Sequence, residues 1–448
     1  MTDKSLGMTR RLARFVVGTK AADIPAPIYE HTKVALMDWL GVTMAGKDEP
    51  LVEKLLKYSD LMGGREQSTI LGHGLKKNVS QAALINGAAS HALDYDDTMA
   101  AFGGHPSVTL FPGLLALSEW RKKNGRDFLT SYIIGLKVGM AVGISAGPKH
   151  YAAGFHSTST VGSLASAAAC SRLMGLDKQQ TVYALGLAGT QSFGLKRVFG
   201  TMCKPFHAGR ASDVGVTAAL LAMDGFTSAD DILEGPNGFF QAMRGEVNES
   251  FLSTLGQDWG IESLAQKYHA SCHFTHSPIE AALSIFKKER LSVQEIESIE
   301  VTCSETALTT ADIIEARTGL EGKFSIPYCV ANALLRGNTG LSAFTDELVA
   351  EPEVKALMKK VSARHDPETQ GMEARVTIKT RDGNEHSSYS DIFKEIPELV
   401  LKKIKIKDKF IDLCSPVLES AQIKKTVEVI FGLESVKDMS SLVELVSG

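Results

Sequence analysis

Apolar residues recur along roughly the first 260 residues at helical spacing and not in strict alternation. After Pro25 and Pro27, the positions Ile28, Thr32, Ala35, Leu36, Trp39 and Leu40 share one face, which predicts a helix ending near Gly41. Ser80–Ala92, Ser107–Trp120, Phe128–Gly147, Ser157–Met174, Lys178–Ser192 and Ala211–Met223 read as further helices rich in Ala, Gly and Leu. Their small residues occupy several faces, and a helix that is apolar all round must be enclosed by other helices. Asn124-Gly125, Gly175 and Gly225-Phe226-Thr227 supply the stops. The pattern changes near Leu264. Ile296–Cys303 and Ala374–Lys379 alternate and carry β-branched residues, and Thr380-Arg381-Asp382-Gly383 is a hairpin turn leading into Glu385–Ser390. Helical stretches at Pro278–Glu289, Ser325–Leu335 and Glu351–Lys359 interleave with these strands, and helical spacing returns after Leu399 through Phe410, Leu413, Val417, Val427, Ile430 and Phe431. The predicted architecture is mainly α: a large all-helical domain formed by both chain ends, residues 1–268 and 398–448, plus a smaller inserted α+β domain, residues 269–397.

Composition narrows the classes of function. The 448 residues are 44% hydrophobic and 22% charged, with a mean hydropathy of −0.01, enough to bury a large core in two or three domains. Forty-eight basic against 52 acidic residues leave a net charge of −4, which gives no electrostatic footprint for nucleic acid. The apolar stretches Val108–Trp120 and Tyr132–Gly147 are interrupted by Pro112 and Lys137 and fall short of the ~20 residues of a membrane span. No membrane association is expected. Arg10, Arg11 and Arg14 precede a very short apolar patch without a secretory core, so the cytoplasm is the expected compartment and a transit peptide the second reading. The six cysteines lie far apart with no C-x-x-C pair, which fits reduced thiols better than a disulfide framework, a zinc site or an iron–sulfur cluster.

Candidate chemistry gathers in four places. His91-Ala-Leu-Asp94-Tyr-Asp96-Asp97-Thr98, followed by Gly103-Gly104-His105-Pro106, brings three carboxylates and two histidines to a helix end and a Gly/Pro-rich loop. Asp97 and Thr98 also suit plain helix capping. The D-x-D-D string resembles an acid motif of class II terpene cyclases, but three Trp are too few for an aromatic carbocation pocket; a metal phosphohydrolase would want His-Asp pairs on helices, and His365-Asp366 lies in the wrong domain. Gly154-Phe155-His156-Ser157-Thr158 sets a histidine at the mouth of a helix, where the plain alternative is a polar N-terminal residue. The run Lys196 to Arg210 holds Lys204 and His207 in a loop before the helix that Ala211 continues, and a partly buried Lys204 there needs an anion. His269, His273 and His276 have spacing suited to zinc, yet no carboxylate or cysteine pattern accompanies them, and no metal is expected. Asp, His and Lys without a nucleotide loop, metal box or nucleophile elbow suit proton abstraction next to a carboxylate, with cations holding the developing enediolate.

Taken in order, Asn86–Thr98 with His105-Pro106-Ser107, Gly154–Thr158, Lys204–Ala211, Glu234–Phe239, Cys272–His276 and Lys323–Ala331 resemble the MmgE/PrpD family of 2-methylcitrate dehydratases, cis-aconitate decarboxylases and an iminodisuccinate epimerase. The resemblance runs from about residue 8 to residue 395. It implies a helical domain from both chain ends with a lid-like α+β insertion, a homodimer, and catalysis without metal, iron–sulfur cluster or other cofactor. It also places pocket residues at Asp94, Thr98, His105, His156, Lys204 and Tyr328, with lid-side groups from Cys272, His273 and His276; on this reading Asp94, His105, His156 and Lys204 are the catalytic candidates, Asp94 orienting a partner histidine or moving a proton itself, and His207 of the basic run is a further candidate substrate contact. The segment Gly103-Gly104-His105 is one residue longer than in the decarboxylases, and Cys272 stands where they carry a histidine. The stretch after Tyr389 lacks the Gly-Asp-Pro-x-x-Pro-Leu pattern of the dehydratases. The expected activity is a cofactor-independent lyase, dehydratase-like, on a small di- or tricarboxylate; a decarboxylase, an epimerase and a non-catalytic polycarboxylate-binding protein are the alternatives.

Overall fold

The helical pattern is realised as α1 (Met8–Gly18), α2 (Ala26–Ala45), α3 (Pro50–Met62), α4 (Val79–His91), α5 (Ser107–Arg121), α6 (Gly125–Ala152), α7 (Ser157–Met174), α8 (Lys178–Gln191) and α9 (Cys203–Met223), in a computed structural model that describes residues 6–311 and 313–448. Local signals set their ends. The side chains of Asn78, Asn124 and Asp177 accept backbone N–H bonds at the starts of α4, α6 and α8, and Gly175 closes α7 in the left-handed conformation. A short hairpin, β1 (Ser68–Ile70) with β2 (Leu75–Lys77), lies between α3 and α4. Helix α7 is buried along nearly its whole length and packs on α5, α6, α8 and α9. Helix α4 packs on α9 through two glycines: a Cβ on Gly87 would come within 2.7 Å of the Gly209 Cα. That close approach sets the C-terminal end of α4 beside the first turns of α9.

Helix α9 begins at Cys203, eight positions before the start expected at Ala211. Pro205, a loop signal by composition, sits in the first turn, where its missing N–H has no intrahelical partner to lose. Lys204, His207 and Arg210 are therefore held on a helix and not on a loop. Helix α6 is long and apolar enough to cross a bilayer, but it is mostly buried inside the fold, and Gly147 and Pro148 kink it near its end.

By contacts the chain divides into two units, one holding everything up to Gln266 together with Glu398–Gly448 and the other Lys267–Pro397. The second unit contains α10 (His276–Glu289), β3 (Ile296–Cys303), α11 (Ile326–Arg336), β4 (Val361–His365), β5 (Ala374–Thr380) and β6 (Glu385–Ser390). Its sheet has the order β4-β3-β5-β6, with β3 and β4 parallel and the other pairs antiparallel. Helix α10 covers β5 and β6, over a core that includes Ile299, Val301, Val376 and Ile378. The fold is mainly α with a small α+β part. Strand β4 escapes the alternation test because Val361 alone of its five residues is fully buried.

The chain returns to the first unit as α12 (Leu399–Cys414) and α13 (Ser420–Phe431). Helix α12 packs on α2, with Phe410 fully buried against Gly41.

Candidate active site

The first unit brings the sequence-predicted groups Asp94, Thr98, His105, His156, Lys204 and His207 onto four neighbouring pieces of chain. Helix α4 ends at His91, and the chain then reverses through Asp94, whose φ of 53° is left-handed and whose N–H donates to the His91 carbonyl at 3.2 Å. Asp is among the residues that tolerate this conformation. Thr98 follows on an isolated bridge, exchanging two 2.9 Å backbone bonds with Ala265. His105 enters after a turn at Gly103, and Gly104 presses on the start of α7, where a Cβ would lie 2.6 Å from Thr158 Oγ1. His156 stands at the N-terminal end of α7, its N–H donating to the Gly194 carbonyl at 2.9 Å. Lys204 and His207 project from the first turns of α9.

Three polar couplings organise these groups. Asp96 is almost wholly buried; its Oδ1 pairs with His91 Nδ1 at 2.8 Å and its Oδ2 with His105 Nδ1 at 2.8 Å. Burial would push the Asp96 carboxyl up, but the facing imidazoles and their bonds outweigh it and hold the group well below the usual carboxylate range. Lys204 Nζ donates to Asp94 Oδ1 at 2.6 Å. Asp94, expected to orient a partner histidine or to move a proton itself, has this ammonium on Oδ1, while both oxygens of Asp96 face histidines. His156 and His207 meet through their Nδ1 atoms at 3.0 Å, so one ring must donate and the other accept. Burial first, then the charges of Lys204, His91, His105 and His207, push His156 well below the ordinary histidine range, which keeps the ring neutral at pH 7. Phe199 meets the His156 ring edge-on at 4.9 Å between centroids, and the His91 and His105 rings lie 4.5 Å apart. Asp97 turns away from the cluster: it accepts from the Ser107 N–H and pairs with the Ser107 hydroxyl, which bonds Tyr132, so it anchors the start of α5 as the capping reading proposed.

The remaining predicted residues, Cys272, His273, His276 and Tyr328, belong to the second unit. Cys272 donates its N–H to the Lys323 carbonyl at 2.8 Å. His276 lies between His269 and His273, at 4.7 and 4.5 Å between ring centroids, and bonds the Ser271 carbonyl. The Tyr328 hydroxyl donates to the Ala343 carbonyl inside this unit, and the ring packs on Phe344. His91 and Asp96 lie in the first candidate motif but receive no role of their own from sequence, and Phe199 is not singled out there at all. A helix-terminal histidine five residues before a carboxylate was the available signal for the first two.

A cation has one grouping to consider among the described residues: His91, Asp94, Asp96 and His105 each bring a donor atom within 4.8 Å of the others. These donors are turned on one another. Both Asp96 oxygens face imidazole nitrogens and Asp94 Oδ1 faces an ammonium.

Such a site, with an ammonium beside paired carboxylates and imidazoles in a helical unit, holds the kinds of group that acid–base chemistry on an anion uses. Residues 10–251 match the MmgE/PrpD N-terminal domain and residues 269–432 the MmgE/PrpD C-terminal domain, and the chain belongs to that family. It is 27% identical to the cis-aconitate decarboxylase-like protein oryM of Aspergillus oryzae, over 98% of this chain and 97% of that one. It is 27% identical to the cis-aconitate decarboxylase of Mus musculus, over 98% and 93%. Identity to the 2-methylcitrate dehydratase of Escherichia coli (strain K12) is 24%, over 82% and 81%.

Proposed function

We propose that this chain is a lyase that works without a resident cofactor on a small di- or tricarboxylate, and that it removes water. The observation that carries this reading is the presence, in one unit, of a cation for a carboxylate beside two separate imidazole pairs, His156 with His207 and His105 with Asp96. Dehydration needs two proton transfers at different atoms. Neutral His156 takes the proton from the carbon next to a carboxylate on its Nε2, which requires its Nδ1 to be the donor toward His207. The carbon–carbon double bond forms as the carbon–oxygen bond breaks, and His105, which enters this step as an imidazolium with Nδ1–H on Asp96 and a second proton on Nε2, gives the Nε2 proton to the departing hydroxyl and is left neutral, so that water leaves and charge balances. Lys204 holds a substrate carboxylate and the enediolate charge that develops on it, with Asp94 fixing the ammonium. Thr98 adds a further substrate contact within this unit, and the active form is a homodimer.

A second reading, decarboxylation, is favoured by the full-length similarity to the cis-aconitate decarboxylases, which exceeds the coverage of the dehydratase. Proton NMR of the purified protein with 2-methylcitrate, citrate, cis-aconitate and iminodisuccinate, with and without EDTA, decides between them. The expected result is conversion of a hydroxy acid to an alkene at a rate EDTA leaves unchanged. Carbon dioxide release from cis-aconitate would select the second reading. Deuterium uptake from solvent without net loss of water or carbon dioxide would mark an epimerase, and binding without product would sink the lyase assignment.

A further inference from the structure

Asp96 is a buried carboxylate with both oxygens facing imidazoles, His91 Nδ1 and His105 Nδ1, each at 2.8 Å. An ionised carboxylate has only lone pairs to offer, so each ring must carry a proton on Nδ1. His91 is itself fully buried, and its Nε2 has no hydrogen-bond partner among the described residues. A proton there would be a buried donor without an acceptor, at a cost comparable to a lost hydrogen bond. His91 Nδ1 is therefore a fixed donor to Asp96. Its ring lies against that of His105, with centroids 4.5 Å apart, so it covers one side of His105 while occupying the Asp96 oxygen that His105 does not use. The other charged and titratable groups of this cluster are Asp94 on the same loop, Lys204 and His207 on α9, and His156 on α7.

We infer that Asp96 and His91 are positioning residues that act through His105: Asp96 keeps the His105 proton on Nδ1, so that Nε2 is the nitrogen that exchanges protons with the substrate, and His91 locks the Asp96 carboxylate in the orientation that does so. Neither touches substrate. Asn at position 96 would present one accepting oxygen and one donating amide, so one of the two rings would have to lose its bond or move its proton to Nε2. An aspartate that fixes a histidine tautomer is worth about 10²–10⁴-fold in kcat in other acid–base enzymes.

The inference deepens the lyase reading and rests on it only for the choice of reaction assayed. Its first test needs no substrate: nitrogen-15 NMR of the histidine rings in the full-length resting protein should show Nδ1 protonated in both His91 and His105. A neutral His105 with its proton on Nε2 would overturn the inference. Second, Asp96→Asn should lower kcat by about 10²–10⁴-fold with KM within a few-fold of the parent, and His91→Gln should lower kcat by about 10-fold in the same manner. A folded Asp96→Asn protein with kcat within twofold of the parent would also overturn it. Should Asp96→Asn fail to fold, the ring protonation of the parent and the kinetics of His91→Gln decide. If none of the tested acids reacts, both rings protonated on Nδ1 would leave the positioning assignment standing while the lyase reading fell.

Discussion

Asp97 sits next to the hub carboxylate of the cluster, yet its environment gives it the opposite ionisation. Burial above all, then the charge of Asp38, pushes its carboxyl from 3.8 up to about 8, against the opposing bonds from Ser107. A carboxyl that holds its proton more tightly in the folded than in the unfolded chain stabilises the fold fully below about pH 4, and that contribution is lost as pH rises toward about 8. The slope is on the order of 1 kcal/mol per pH unit across this window. Asp97→Asn, which keeps an oxygen for the Ser107 N–H but cannot ionise, should gain stability relative to the parent as urea denaturation is moved from about pH 5 to about pH 8. A difference between the two proteins that does not change with pH would refute the assignment. The string His91 to Thr98 shows in the sequence that carboxylates and a histidine are close. It does not show which carboxylate faces which partner. That depends on the left-handed turn at Asp94, which sends Asp94 toward Lys204 on α9, Asp96 toward two imidazoles and Asp97 toward Ser107. An aspartate in that conformation follows from tertiary packing, and spacing along the chain carries no trace of it.

Among the elements, α12 reaches the site's framework from almost the far end of the chain. Lys402 and Lys409 are seven residues apart on one face of it. Lys409 Nζ donates to the Tyr95 carbonyl at 2.7 Å and pairs with the buried Asp38 on α2 at 2.7 Å, while Lys402 Nζ donates to the Leu264 carbonyl at 2.9 Å. Tyr95 and Leu264 lie just outside the two strands of the Thr98–Ala265 bridge, so α12 ties down both sides of the segment that carries the candidate site. Lys409→Met strands the Asp38 carboxylate in the interior and should cost about 3–5 kcal/mol, the usual consequence of removing one partner of a buried ion pair. Adding Asp38→Asn should restore most of that loss. Chemical denaturation of the single and double variants measures both, and an unrestored double variant would show that the pair does not carry the effect. Helix periodicity makes α12 legible, because Phe410 and Leu413 mark its apolar face, but a lysine reads as a surface residue and gives no hint of two buried ammonium groups on that face. Helix α9 shows the complementary failure: Pro205 and its cationic neighbours suggest a loop, but a proline is tolerated in the first turn of a helix, and α9 begins at Cys203.

For the molecule as a whole, the division of the chain into family domains and its division in space do not coincide. The family's C-terminal domain spans residues 269–432, yet α12 and α13 belong to the unit that also holds everything up to Gln266. Within that unit, Lys402 bonds the Leu264 carbonyl, so the points where the chain leaves and re-enters lie close together. The unit also closes its own core: Phe410 and Ile406 on α12 are fully buried, and Asp38 on α2 has its ion-pair partner on the same helix. A chain in which a short Gly/Ser linker joins Gln266 directly to Glu398 keeps all of these contacts and loses none of the helices α1 to α9. It should fold, with strong helical circular dichroism and a single cooperative melt. A chain ended at Gln266 retains the same nine helices but bares the face of α2 that α12 covers and strands Asp38 in a partly apolar surface. It should fail to melt cooperatively, and it should aggregate. The paired comparison separates folding information held in the first 266 residues from information supplied by the returning helices. Equal cooperative melts for the two proteins would show that α12 and α13 are attached to the unit but not required by it.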